Sequence, residues 1–188
     1  MDMELIERVK KYALGAESQT RFEHSVRTAQ TAEKLCRRYG VDPEKGYFAG
    51  IAHDMCKEMN PRLLLSLAAR DGAPVTELEQ EKPSLLHGRA AAAMLKSDFA
   101  VDDADILEAV RNHTFGAPGM SALAKIIYAA DKIEPGREHV TPAYLDRLFS
   151  LSLNGLVRTV VQENIGWLEN RNKSVAPVSR RFLESLED

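Results

Sequence analysis

Apolar residues recur along this chain at intervals of three and four, and no convincing run alternates between apolar and polar positions. The first pattern is that of amphipathic helices, the second that of half-buried strands. The spacing predicts an opening helix over residues 4–14, then a long helix that Ser18 caps and Gly40 stops, with an apolar stripe of Phe22, Val26, Ala29, Ala32 and Cys36. Asp42-Pro43 opens a third helix, since proline is tolerated at the first helical position; it carries Tyr47, Phe48, Ile51 and Ala52 and ends near residues 54–57. Asn60-Pro61 starts a short helix that stops at Asp71-Gly72, and residues 73–83 read as loop or frayed chain. Helices follow over 85–95, from an Asp102 or Asp103 cap to His113, and over 121–133, the last two separated by Gly116-Ala117-Pro118-Gly119. Thr141-Pro142 begins a helix expected to run unbroken to about Asn170, and Pro177 precedes a short C-terminal one. The expected fold class is therefore all-α.

A length of 188 residues suits one domain with a small helical appendage and buries a core without staples. The formal net charge is −3 with acids and bases interleaved, so no basic stretch marks a nucleic-acid partner. A highly charged small-molecule substrate would need a local cationic site. The first residues are charged throughout and lack the apolar core of a signal peptide, and no apolar run approaches the ~20 residues that span a bilayer. Cys36 and Cys56 lie far apart in sequence and read as free core thiols of a reducing cytoplasm. Tyr144 and Trp167 are assigned to core packing, with the interface of a homodimer as the alternative.

The candidate chemistry lies in the histidines. Of five, His24, His53, His87 and His113 fall on or beside apolar helical faces. His113 completes the series Ile106, Ala109, Val110, His113, and His87 begins the series His87, Ala90, Ala91, Met94. Asp54 follows His53 directly, and Asp131 shares a face with Leu123, Ala124 and Ile127, with Lys125 and Lys132 pointing elsewhere on an ideal helix. A lone histidine on an apolar face is ordinarily a core residue with a satisfied hydrogen bond. Four of them with two inward carboxylates, each costly to bury unpaired, point to a shared cation held by imidazole and carboxylate, as iron, manganese or zinc would be.

The segments Arg21-Phe22-Glu23-His24-Ser25, Ala52-His53-Asp54 and Ala130-Asp131-Lys132-Ile133-Glu134-Pro135 resemble the H…HD…D pattern of the HD superfamily of metal-dependent phosphohydrolases. Ser84-Leu85-Leu86-His87-Gly88, Arg111-Asn112-His113-Thr114 and the string ending at Arg137 narrow the resemblance to the YqeK family of symmetrical bis(5′-nucleosyl)-tetraphosphatases. The resemblance implies a bundle of five or more helices, with an N-terminal helix over 1–17, the HD domain over 18–137 and a helical extension over 138–188 packed on it. It implies metal ligation by His24, His53, Asp54 and Asp131, extended by His87 and His113 to a second ion with Asp54 bridging. Iron is the ion it implies, manganese or another divalent ion the alternative. The implied substrate is a dinucleoside polyphosphate, diadenosine tetraphosphate, cleaved to two ADP.

Asp54 is then the catalytic residue that bridges or orients the nucleophile, and Lys57, just past the His53-Asp54 turn, a cation for the phosphates. Arg27, Thr114 and Arg137 are further candidate phosphate contacts, each with a surface or helix-end role as its alternative. Glu134 reads as a helix-end charge or a partner of Lys132, with orientation of a bound histidine as the second reading; His139 reads as surface. Two other functions fit the same ligands: a different HD phosphohydrolase, such as a nucleotidase or cyclic-nucleotide phosphodiesterase, and a catalytically idle nucleotide-sensing scaffold.

Overall fold

The computed structural model describes residues 2–186, and among them every regular element is helical. The order is α1 (Met3–Ala16), α2 (Gln19–Tyr39), α3 (Pro43–Ala52), α4 (Pro61–Ala68), α5 (Glu77–Glu81), α6 (His87–Asp98), α7 (Ala104–Asn112), α8 (Ala122–Ile133), α9 (Pro142–Phe149), α10 (Leu153–Glu169) and α11 (Pro177–Glu184), with short 3-10 turns at Ala69–Asp71 and Pro83–Leu86. The all-α expectation is met. Helix starts follow the anticipated chemistry: Asp42 accepts from the Glu44 amide, Asn60 from Arg62, Asp103 from Asp105 and Ile106, and Ser121 from Ala124. Ser18 occupies its cap position without a capping bond; its hydroxyl donates instead to Glu58.

The core is one continuous cluster. α2 lies along α3 and α8, α7 sits between α6 and α8, and α10 covers the far side of α8. The α2–α3 contact is set by Gly50. A β-carbon there would stand 2.4 Å from Ala29 Cα, so the two backbones touch where any larger residue would part them. This approach matters because α2 carries His24 and α3 ends at His53.

Four expectations are corrected. The helix expected from Thr141 to Asn170 is two, because Ser152 in extended geometry caps a new start by accepting from the Gly155 amide. The loop expected over 73–83 contains α5, built on a reciprocal capping box between Thr76 and Glu79. Of the apolar stripe expected on α2, Ala29, Ala32 and Cys36 are buried, but Phe22 and Val26 are only half-buried and His24, Ser25, Thr28 and Thr31 join the buried face, so polar residues supply much of it. Trp167 is not in the core: it is 46 % exposed, with the Arg171 and Lys173 cations 4.3 and 4.6 Å from its ring centroid. Tyr144 is half-buried and donates its hydroxyl to Glu163. Both cysteines are buried and free, as expected, and burial pushes each thiol up to about 12. No helix of the described residues is long and apolar enough to cross a membrane.

Replacing Gly50 with alanine is expected to lower unfolding stability by about 1–3 kcal/mol, the usual cost of overpacking. Denaturant melts read this loss directly. An unchanged midpoint would mean that α2 and α3 separate freely and do not fix the spacing of His24 and His53.

Candidate metal centre

Three of the four histidines sit where a helix ends. His53 closes α3, His87 follows the 3-10 turn at Pro83–Leu86, and His113 closes α7. Carbonyls of a last helical turn lack intrahelical partners, and each of these rings uses one. Nδ1 of His53 lies 2.7 Å from Gly50 O, that of His87 2.6 Å from Ser84 O, and that of His113 2.8 Å from Val110 O, always the residue three before. A carbonyl only accepts, so Nδ1 carries the proton and Nε2 of each neutral ring is a bare lone pair. Burial pushes all three pKa values down, that of His53 to about 4, so neutral rings are the ordinary state.

His24 lies inside α2, where the carbonyls are already bonded. Its Nδ1 instead meets Glu134 Oε1 at 3.1 Å, and Glu134 is buried, tied also to Arg27 Nε at 2.6 Å. Glu134 is thus the residue that orients His24, not the helix-end charge favoured above. Burial raises the Glu134 pKa, but its bonds from His24 and Arg27 outweigh this and hold it down at about 2.

The four Nε2 atoms converge on two carboxylates. His24 and His53 approach each other to 3.3 Å and lie 3.1 and 3.8 Å from Asp131 Oδ1. His87 and His113 approach to 2.8 Å and lie 3.0 and 3.6 Å from Asp54 Oδ1. The other Asp54 oxygen, Oδ2, faces the first pair, at 3.9 Å from His24 and 3.7 Å from His53. Lone pairs thus face lone pairs in a buried space, an arrangement that repels unless cations stand between them. The donor triads His24–His53–Asp131 and His53–Asp54–His113 each lie within 4.8 Å, a span that suits a metal ion. The imidazole–carboxylate chemistry fits first-row transition metals.

The surroundings supply positive charge. Arg21 Nη1 lies 2.8 Å from Asp54 Oδ2, Arg137 Nη2 2.8 Å from Asp131 Oδ1, and Lys132 Nζ 3.2 Å from Asp131 Oδ2. Lys132 therefore does not point away from Asp131: its stem curls back so that Nζ also donates to His113 O at 3.0 Å and lies 3.8 Å from the Tyr128 ring centroid. Although burial alone would raise them, the neighbouring imidazoles and cations hold Asp54 and Asp131 well below the usual carboxylate range. Lys57 Nζ stands 3.4 Å from both nitrogens of His87, and Thr114 Oγ1 3.4 Å from His87 Nε2. Arg27 and Arg137 are engaged with Glu134 and Asp131, while His139 is exposed, as expected.

Sequence reasoning missed Arg21 and Glu17. Arg21 precedes His24 by three residues, one helical turn, which was a readable sign. Glu17 is buried beside Ser25, whose hydroxyl donates to it at 3.0 Å, and burial lifts its pKa to about 7; its position at the end of α1 gave no such signal.

The HD domain model matches residues 21–136 of this chain, the span that contains all six donors. The chain belongs to the HD-domain family. Within it, the chain is 34 % identical over 157 residues to the symmetrical bis(5′-nucleosyl)-tetraphosphatase of Bacillus subtilis (strain 168), covering 84 % of each chain. It is 31 % identical over 157 residues to the enzyme of the same name from Halalkalibacterium halodurans, covering 84 % of this chain and 83 % of that one. A solved structure from Clostridium acetobutylicum, described as a predicted HD superfamily hydrolase involved in NAD metabolism, superposes with a TM-score of 0.87 at 29 % identity, over 96 % of this chain and 95 % of the other. The resemblance to the tetraphosphatase branch therefore extends over most of the HD-domain chain, not its motifs alone.

The depressed histidines make a pH prediction for the metal-free protein. Unfolded histidine takes up a proton near pH 6.5, whereas buried His53 resists it until about pH 4. The unfolded state therefore binds more protons between those values, and stability falls as pH drops through that window. Burial opposes the charge on His24, but its bonds to Asp131 and Glu134 outweigh this and raise its pKa, and burial lifts Glu17 to about 7; both act in the reverse sense. With three depressed rings and the depressed Glu134 carboxyl against these two, the melting temperature in chelator is expected to fall from pH 7 to pH 4.5, and less steeply in His53→Asn. A flat profile would mean that the rings are already protonated in the fold.

Proposed function

We propose that this HD-domain protein hydrolyses diadenosine tetraphosphate symmetrically, to two ADP, at the six-donor centre. The observation that carries this reading is the position of Asp54: its two oxygens face two different histidine pairs, so this one carboxylate would help to hold an ion on each side. The activity named for its relatives, matched over 84 % of their length in the Bacillus subtilis case, is the one such a centre serves. His24, His53, Asp131 and Asp54 would hold one ion, and His87, His113 and Asp54 the second. Iron is the reading preferred, and manganese satisfies the same donors. When bound, such ions provide hydroxide near neutral pH and neutralise charge on phosphate oxygens.

The chain's own residues do the rest. Asp54 orients the attacking water in line with one inner phosphorus, while the carbonyl-fixed imidazoles would hold the ions. That phosphorus gains the water oxygen as the central P–O bond breaks, and ADP leaves. Lys57 and Thr114, both beside His87, would contact phosphate oxygens, and Arg21 lies against the other oxygen of Asp54. Arg27 and Arg137 act through Glu134 and Asp131, keeping those carboxylates in place. Free, buried thiols agree with work in the cytoplasm.

Metal-loaded protein incubated with diadenosine tetraphosphate is expected to release ADP alone on chromatography; ATP with AMP would show cleavage at an outer bridge. Elemental analysis is expected to give about two ions per chain. Asp54→Ala should lower that content and leave no detectable turnover while the protein stays folded, as circular dichroism would show. Near-wild-type hydrolysis by Asp54→Ala would end the bridging mechanism.

Lys57→Ala separates phosphate binding from metal binding. The ammonium is a point charge and no ligand, so metal content should hold. A lost charge-assisted hydrogen bond of about 1.5–3 kcal/mol lowers kcat/KM roughly ten- to a hundred-fold. A rise in KM alone would mark a contact made equally to substrate and transition state, a fall in kcat one that strengthens in the transition state. An unchanged kcat/KM would assign Lys57 to solvating the turn after α3.

A further inference from the structure

A cavity of about 630 Å³ lies beside the His87–His113 half of the centre. Thr114, whose hydroxyl stands 3.4 Å from His87 Nε2, forms part of its wall, as do Leu85 and Asn112, neighbours of His87 and His113 in the chain. The opposite wall comes from outside residues 21–136: Ala176, Val178 and Arg181, at the start of α11 and in its first turns, line it. We propose that this cavity takes one nucleoside of the dinucleotide, which makes α11 a substrate-recognition element. The proposal rests on the function given above and extends it to a part of the chain that holds no metal donor.

Its size falls within the range of small-ligand pockets, ~300–1,000 Å³, and its chemistry is that of a purine site. Leu78, Leu85, Val178 and the half-buried Phe115 ring offer apolar faces on which a base stacks. Asn112 brings a carboxamide, a donor and an acceptor side by side, the complement of an adenine edge. Arg181 is exposed at the rim, and among the described residues no carboxylate pairs with its guanidinium, which suits a phosphate next to the ribose.

The walls are built to stay in place. Arg89 grips the 71–79 segment, bidentate to Asp71 at 2.8 Å and bonded to the carbonyls of Ala73 at 2.7 Å and Pro74 at 3.1 Å. On the other side Ser179 donates its hydroxyl to Phe115 O at 2.8 Å, and Phe182 is buried against Tyr128 at 5.3 Å between ring centroids. Gly116 makes that docking possible: φ is 70°, and a β-carbon there would lie 2.1 Å from Phe182 Cδ1. α11 is thereby pinned to the loop that follows His113.

Calorimetry on the metal-loaded full chain tests this with ADP and with inorganic diphosphate, which has no nucleoside. Val178→Trp fills the cavity, and Arg181→Ala, at an exposed position, removes the rim cation without touching the core. Val178→Trp should weaken ADP at least tenfold and diphosphate less than twofold, and raise KM for diadenosine tetraphosphate. Arg181→Ala should weaken ADP several-fold. ADP binding unchanged in both variants, with wild-type symmetrical cleavage intact, would overturn the cavity assignment and leave the proposed function standing. An equal loss of ADP and diphosphate in Val178→Trp would also overturn it, because the damage would then lie in the phosphate site. A wild-type protein that neither binds ADP nor cleaves the dinucleotide would overturn both readings.

Discussion

The structure depends on one electrostatic constraint: six acceptor-bearing side chains are aimed at one another in a space with little access to water. Three neutral imidazole lone pairs and two carboxylates have little to attract them to each other, and only His24, 3.1 Å from Asp131, is drawn towards the charged form. Burying an unpaired ion costs several kcal/mol, so the arrangement is tolerable only with positive charge inside it. Part of that charge is built in. Arg21 on Asp54, and Arg137 and Lys132 on Asp131, touch the outer sides of the carboxylates. The inner sides, between the rings, are left for cations of small radius. The guanidinium and ammonium groups lie around the centre and do not fill it, because the imidazole pairs approach to 2.8 and 3.3 Å.

That constraint explains where the histidines sit along the chain. A ring that must present Nε2 inward needs its Nδ1 proton fixed by an acceptor, since orientation and tautomer are set together. The cheapest acceptor is an orphan carbonyl at the end of a helix. Three rings use one at the same offset of three residues, at Gly50, Ser84 and Val110. His24, buried in mid-helix, has no such carbonyl and takes a carboxylate 110 residues away, Glu134. Glu134 in turn needs Arg27 and the Gly136 amide to remain charged while buried. A chain of support therefore runs from one mid-helix ring to the turn after α8, and its length follows from the absence of a local acceptor.

The same reasoning separates what was legible in the sequence from what was not. Helix starts were legible, because Asp42-Pro43, Asn60-Pro61, Asp103 and Ser121 cap by local chemistry. The histidine–aspartate set was legible, because its members lie on inward faces and follow a known family pattern. The break at Ser152 was not: the apolar spacing continues through it, and only the cap bond to Gly155 reveals a new start. Lys132 was misplaced because ideal helical directions ignore a four-carbon stem that can fold back over Tyr128. Glu134 was ambiguous because its partners are 107 and 110 residues distant. Trp167 followed the rule that large aromatics are buried and broke it because two cations cover its face instead.

The division between chemistry and recognition follows from these needs. The six candidate donors lie at the ends of α3 and α7, at the start of α6 and within α2 and α8, all elements of the packed core. A nucleoside pocket needs a different property: walls of adjustable chemistry within reach of the phosphate-bearing side. The last helix can supply such a wall without disturbing the donors, since it meets the core through the Ser179 bond and the Phe182 ring, and not through any of the six. Substitutions along the exposed side of α11 can therefore change which base is accepted while Asp54 and its histidine pairs stay as they are. Tuning substrate choice from within the donor set would disturb the balance of charge on which the fold rests.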